Sequence, residues 1–133
     1  VEAVRGSLAQ MGDSPILAQT RAELAEYFAG QRQGFGVPLD LVGTAFQQAA
    51  WQALLAIPHG QTRSYAQQAA SIGQPSATRA VAAANGANKV SIIVPCHRVI
   101  GSNGSLTGFG GGLPTKRWLL DHEQRHSAFT LTP

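Results

Sequence analysis

The sequence predicts a mainly α-helical chain with short β segments, an α+β arrangement built on a winged-helix-like helix-turn-helix and preceded by a short helical segment. Three observations carry that prediction. Two capping boxes, Thr44-Ala-Phe-Gln47 and Ser64-Tyr-Ala-Gln67, each open a run with apolar residues at helical spacing. Gly73, Pro75 and Asn85-Gly86 punctuate the region after the second box into two short helices joined by a tight turn. The apolar run Ser91 to Pro95 is long enough for one short buried strand or extended segment.

Taken in order, residues Val1 to Gly36 hold most of the acids and one helical pattern, Pro15 to Ala29, with Ile16, Leu17, Leu24, Tyr27 and Phe28 on its apolar face and Gly30 as its stop. Gly34 to Val42 reads as an extended connector. A boundary near Asp40 divides an N-terminal segment, 1–40, from a second unit, 41–133. In that unit Phe46, Ala50, Leu54 and Ile57 share one face of a core helix that Pro58 ends. The helix from Ser64 extends to about Ala70, and a third helix spans Ala77 to Ala84. That third helix is thin, with Ala77, Ala80, Ala82, Ala83 and Ala84, and Arg79 is its one long cation, so it can lie in a DNA groove or pack closely on a neighbouring helix. Asn103-Gly104 marks a hairpin-like turn between Val99-Ile100 and Leu106-Thr107. A last helix begins near Pro114 and ends at Asp121-His122-Glu123, with a loosely ordered tail from about Gln124.

Composition narrows the function. The 133 residues are 44% apolar, enough for a real core, and suit one domain or one domain with an appendage. No window approaches the ~18 apolar residues of a membrane span, and no signal-peptide pattern opens the chain. One cysteine allows neither an internal disulfide nor a multi-cysteine zinc site, so the expectation is a reducing, intracellular compartment and no metal. Val1 in first position suggests a processed or excised chain. The net charge is only +3, yet the eighty positions between Asp40 and Asp121 lack any carboxylate while holding Arg63, Arg79, Lys89, Arg98, Lys116 and Arg117. Such a field suits a polyanion, nucleic acid first.

The lone cysteine lies in Val94-Pro-Cys-His-Arg-Val-Ile100. A thiol is strongly nucleophilic only as thiolate, and His97 and Arg98 are immediate neighbours of Cys96, while Pro95 fixes the approach of the backbone. A buried, inert cysteine is the alternative from residue type alone. Gly108-Phe-Gly-Gly-Gly112 lacks the spacing of a phosphate loop, so these glycines serve close backbone approach or loop freedom.

With Cys96, His97, Arg98 and the downstream Glu123 in view, the seven-residue segment resembles the active-site signature of the O6-alkylguanine-DNA alkyltransferases, the methylated-DNA–protein-cysteine methyltransferases. The resemblance covers roughly Pro15 to Glu123 and is strongest from Thr44 onward. It implies that Cys96 accepts the alkyl group, that His97 deprotonates it through a water, and that Glu123 orients the histidine. Asn88 matches the hinge asparagine, Arg79 the arginine that fills the gap left by an extruded base, and Tyr65 the tyrosine that crowds the target phosphate. Ser64, Ala77, Ala80 and Arg98 complete the expected DNA-facing set. Val94, Pro95, Phe109, Gly110 and Gly111 form the expected substrate pocket. The implied partner is double-stranded DNA carrying O6-alkylguanine, bound by a monomer that needs no cofactor and uses its cysteine once. The basic surroundings and the histidine are expected to lower the thiol's pKa. Phe109 stands where many relatives have tyrosine, Lys89 where they often have proline, and the part before the DNA-binding half is shorter than theirs. Three other readings stay open: a non-catalytic binder of alkylated bases with the same fold, a multiple-turnover thiol hydrolase, and a plain helix-turn-helix module.

Overall fold

The computed structural model describes residues 15–131, with side chains through Ser127. Helix α1, Pro15–Phe28, stops where Gly30 adopts φ +80, a conformation open to glycine at little cost. Its inner face is Leu17, Thr20, Glu23 and Tyr27. Phe28, expected inside, is 45% exposed, whereas Glu23 is buried on the inner face. The reason is a hydrogen-bonding demand: the Glu23 carboxylate accepts from the backbone N–H of Gly36 (2.8 Å) and Val37 (3.3 Å), which pins the connector and lets Val37 enter the core.

Helix α2, Ala45–Leu55, begins at a complete capping box on Thr44 and Gln47. It delivers Trp51 and Leu54 to a core shared with Val37, Ile57, Val90, Ile93, Val94 and Val99. The Trp51 indole N–H donates to the Ala84 carbonyl at 2.9 Å, fixing α2 to a later helix. Trp51→Phe is therefore expected to cost about 1–2 kcal/mol, seen as a lower urea midpoint at unchanged m-value.

Strand β1, Arg63–Ser64, leads into α3, Tyr65–Ser71, capped by the second box on Ser64 and Gln67. Helix α4, Thr78–Gly86, follows after a turn at Gly73, φ +77. It runs through Asn85-Gly86 instead of closing at Ala84, because Asn85 has a structural use inside it. The side-chain amides of Gln68 and Asn85 pair reciprocally at 2.9 and 2.8 Å, and Gln68 also donates to the Ala50 carbonyl. This buried, mutually satisfied set fixes the angle between α3 and α4 and ties both to α2.

The run Ser91 to Pro95 is not a strand. Asn88 donates from Nδ2 to the Val94 carbonyl (2.8 Å) and accepts from the Val90 N–H (2.9 Å), folding the segment back on itself. Ile92 pays for the fold with φ +77, which costs a β-branched residue about 1–2 kcal/mol. A 3₁₀ turn, Cys96–Arg98, follows directly, and β2, Val99–Ile100, then pairs in parallel with β1 in the register Arg63 to Val99 and Ser64 to Ile100. The Asn103-Gly104 turn does close, through Gly101 N–H to Ser105 O at 2.9 Å, but the partner of β2 is β1 and not Leu106-Thr107.

Helix α5 spans Leu113–Leu131, so the tail expected from Gln124 is helical as far as Leu131. Contacts with two earlier turns hold it: Gly30 and Gly60 leave room for His126 and Ser127, where any Cβ would collide with those side chains. Among the described residues no helix is long and apolar enough to cross a membrane.

Candidate active site

Cys96 sits half-buried at the first position of the 3₁₀ turn. With about three residues per turn, successive side chains there diverge by about 120° and not the opposed directions of a strand, so Cys96 and His97 can serve one site. Burial pushes the Cys96 thiol up, and hydrogen bonds from Asn88 and Ser91 together with the charge of Lys116 offset this only in part. The net direction is upward, opposite to the lowering expected from sequence. The thiol therefore rests protonated, and a proton acceptor is needed for reaction.

His97 is fully buried. Its Nε2 lies 2.7 Å from Glu123 Oε2, and its Nδ1 is buried with no hydrogen-bond partner. Because the Glu123 oxygen can only accept, the proton belongs on Nε2 and Nδ1 carries the free lone pair. Burial also lowers the pKa of His97, against the pull of Glu123, which keeps that lone pair available near neutrality.

Glu123, buried on α5, is the hub. Burial alone would raise its pKa, but hydrogen bonds and charge from His97 and Arg98 hold it well below the usual carboxylate range. Arg98 donates from Nε to Oε1 (2.8 Å) and from Nη2 to Oε2 (3.0 Å), and from Nη1 to the Ile57 carbonyl at 2.7 Å. Its guanidinium is thus consumed inside the protein, and the expectation that Arg98 contacts DNA is corrected. Lys116 is likewise buried, donating to the carbonyls of Val99 (2.6 Å) and Thr107 (2.8 Å), which removes a second cation from the surface field. Its position was legible in part: Lys116, Leu119 and Glu123 recur at i, i+3, i+7 and share the inner face of α5.

The remaining expected residues fall into two groups. Around the thiol, Val94 and Pro95 are buried, Asn88 braces the loop, and the half-buried Phe109 stands in the glycine loop with Gly110 and Gly111 exposed beside it. Tyr65 donates to the Thr107 carbonyl at 3.2 Å, close to that loop. On the open side, Arg79 and Ala80 are exposed on α4, with Ala77 half-buried before it. Ser64 spends its hydroxyl lone pair on the Gln67 N–H and keeps its own O–H free to donate elsewhere. Sequence reasoning assigned Tyr27 to the core alone, yet its hydroxyl donates to Glu123 Oε2 at 2.6 Å.

A helix-turn-helix packed on the same core as a half-buried thiol, a free imidazole nitrogen and an anchored carboxylate defines a DNA-binding domain with a built-in nucleophile. Residues 45–125 match the family model described as the DNA-binding domain of 6-O-methylguanine DNA methyltransferase. The methylated-DNA–protein-cysteine methyltransferase of Mycobacterium tuberculosis is 56% identical over 110 residues, 83% of this chain and 67% of that protein. The inducible enzyme of Bacillus subtilis is 53% identical over 116 residues, 87% of this chain and 65% of its own length. The crystal structure of Mycobacterium tuberculosis OGT in complex with DNA superposes with a TM-score of 0.81 at 55% identity, covering 83% of this chain and 68% of that one. The chain belongs to the 6-O-methylguanine DNA methyltransferase family, and it spans about two thirds of the length of the relatives it matches.

Proposed function

We propose that this chain repairs DNA by direct reversal, moving the alkyl group of an O6-alkylguanine irreversibly onto its own Cys96. The observation that carries the reading is the His97 imidazole, buried, held by Glu123 at Nε2 and open at Nδ1, one residue from a thiol that burial keeps protonated. His97 Nδ1 takes the thiol proton, through a bridging water. The thiolate attacks the alkyl carbon, a C–S bond forms as the C–O6 bond breaks, and the bonding pair leaves with guanine. The thiol proton ends, net, on the released base. The ammonium of Lys116 favours the thiolate while it exists. No group in the site can reverse a thioether, so each molecule acts once.

A base inside a duplex cannot reach a half-buried sulfur, so the nucleotide is rotated out. Arg79, exposed on the alanine-lined α4, fills the gap it leaves, Tyr65 crowds the phosphate, and the Phe109 ring with the Gly110-Gly111 backbone receives the base. Arg98 plays its part from inside, as a partner of Glu123. The protein acts as a monomer on double-stranded DNA without a cofactor.

Incubation with an oligonucleotide carrying O6-methylguanine, followed by intact-mass measurement and peptide mapping, tests the reading. One methyl per chain, on Cys96, is expected. A protein that binds the lesion and stays unmodified is instead a lesion-flagging member of the fold. Arg79→Ala is expected to weaken lesion-duplex binding about tenfold, the scale of one base-reaching arginine, and to slow transfer, with stability changed by less than about 0.5 kcal/mol because the side chain is exposed. Anisotropy titration and single-turnover quench measure the two effects, and equal affinity in both proteins removes Arg79 from the role.

A further inference from the structure

We propose that Tyr27, on the N-terminal helix α1, is a positioning residue for alkyl transfer that sets the basicity of His97 through the carboxylate they share. The proposal rests on the functional reading above. Tyr27 Oη donates to Glu123 Oε2 at 2.6 Å, and that same oxygen takes the Nε2–H of His97 at 2.7 Å. Tyr27 is fully buried, and its place is fixed independently of the hydroxyl. Its ring packs against Phe35 at 5.7 Å, Phe28 at 5.3 Å and His122 at 5.3 Å between centroids, and its backbone carbonyl lies 2.7 Å from His122 Nε2. The hydroxyl is thus aimed at Glu123 by packing, although the two are 96 positions apart in the chain.

The direction of the effect follows from charge sharing. Glu123 distributes one negative charge over the Tyr27 hydroxyl, the Arg98 guanidinium and the His97 Nε2–H. Whatever Tyr27 neutralises is withheld from His97. Without the hydroxyl, more of the charge falls on His97, the imidazolium is favoured, and a smaller fraction of His97 has its Nδ1 lone pair free at a given pH. Tyr27 remains a neutral donor throughout, since burial and then the Glu123 charge push its ionisation far up. The other groups facing this carboxylate and imidazole are Arg98 on the turn, where Cys96 adjoins His97 in sequence, Lys116 on α5, and His59 before β1, with His122 of α5 against the Tyr27 ring and His126 against His122. They are unchanged by a substitution at Tyr27, so a shift reports the lost hydrogen bond.

The test is the pH profile of the single-turnover rate of methyl transfer from an O6-methylguanine duplex, compared between the parent chain and Tyr27→Phe. The acid limb is expected to move to higher pH by roughly one unit, the scale of a hydrogen bond to a charged group, with lesion-duplex affinity unchanged. Site-specific 3-fluorotyrosine at position 27, a stronger donor of nearly the same shape, is expected to move the limb the opposite way. Opposed shifts cannot arise from a merely structural role. Superimposable profiles in all three proteins overturn the proposal. Should Tyr27→Phe fail to fold, the fluorotyrosine arm decides alone. Imidazole nitrogen NMR of His97 in the same proteins reads the shift without any transfer, so failure of the functional reading and failure of this proposal are told apart.

Discussion

A Cys96→Ala variant is expected to take up no methyl at all from an O6-methylguanine duplex while binding that duplex with the parent's affinity. The loss is total because no second thiol exists in the chain. The imidazole of His97 cannot substitute, since its Nε2 is engaged with Glu123 and its Nδ1 is buried without access of its own to bulk solvent. Affinity survives because the surfaces proposed for DNA, α4 with Arg79 and the start of α3 with Tyr65, are set by packing remote from the thiol: the Gln68–Asn85 amide pair, the Trp51 bond to Ala84 and the Ser64 cap. The methyl-sized change at the first position of the 3₁₀ turn leaves the backbone bond from Cys96 N–H to the Val94 carbonyl intact. Intact mass and anisotropy titration on the same sample give both readouts. A methylated Cys96→Ala protein would place the acceptor elsewhere. Binding lost together with transfer would mean that the sulfur itself contributes to recognition.

The sequence made the helix-turn-helix legible because local chemistry settles it. Thr44/Gln47 and Ser64/Gln67 each satisfy their own first-turn donors, and no distant residue can overrule a cap that closes within four positions. The segment before Cys96 was misread for the converse reason. Its apolar run suits a strand, but the conformation is imposed by the Asn88 side chain, which holds Val90 and Val94 together and forces Ile92 to positive φ. Arg98 and Lys116 were misplaced because charge counting along a chain says nothing of direction. Both cations point inward, one to Glu123 and one to backbone carbonyls, and the basic field is left to residues such as Arg79 and Arg117. The tyrosine from α1 was out of reach altogether: its apolar periodicity is that of a core residue, and only the fold brings its hydroxyl to a carboxylate near the far end of the chain.

Glu123→Gln is expected to be the most damaging single change outside the thiol, and its two consequences separate. The amide is nearly isosteric, so packing survives, but the Arg98 guanidinium is left buried with no counter-charge, and one Gln oxygen cannot accept from Arg98, His97 and Tyr27 as the carboxylate does. Removing one partner of a buried pair costs about 3–5 kcal/mol, a large share of the ~5–15 kcal/mol that holds a domain together. Transfer falls for a different reason. A Gln amide can donate to Nε2, which then favours the proton on Nδ1, the wrong tautomer for taking a proton from Cys96, and loss of a positioned base costs about 10²–10⁴-fold. Combining it with Arg98→Met removes the orphaned charge and is expected to recover much of the stability and none of the rate. The pH dependence of folding supplies the check. His97 and His59 are pushed down by burial, so the unfolded chain takes up protons before the folded one and parent stability declines as pH falls through about 6.5. Glu123, held low in the folded state, adds a second loss beginning only as pH falls below the ordinary carboxylate range of about 4. Urea midpoints of Glu123→Gln should show a smaller second loss, the remainder belonging to Glu23, whose burial is outweighed by hydrogen bonds from Gln19 and Gly36 and the charge of Arg32, which hold its pKa low. A second loss undiminished from the parent's would show that Glu123 does not carry its share of the acid sensitivity.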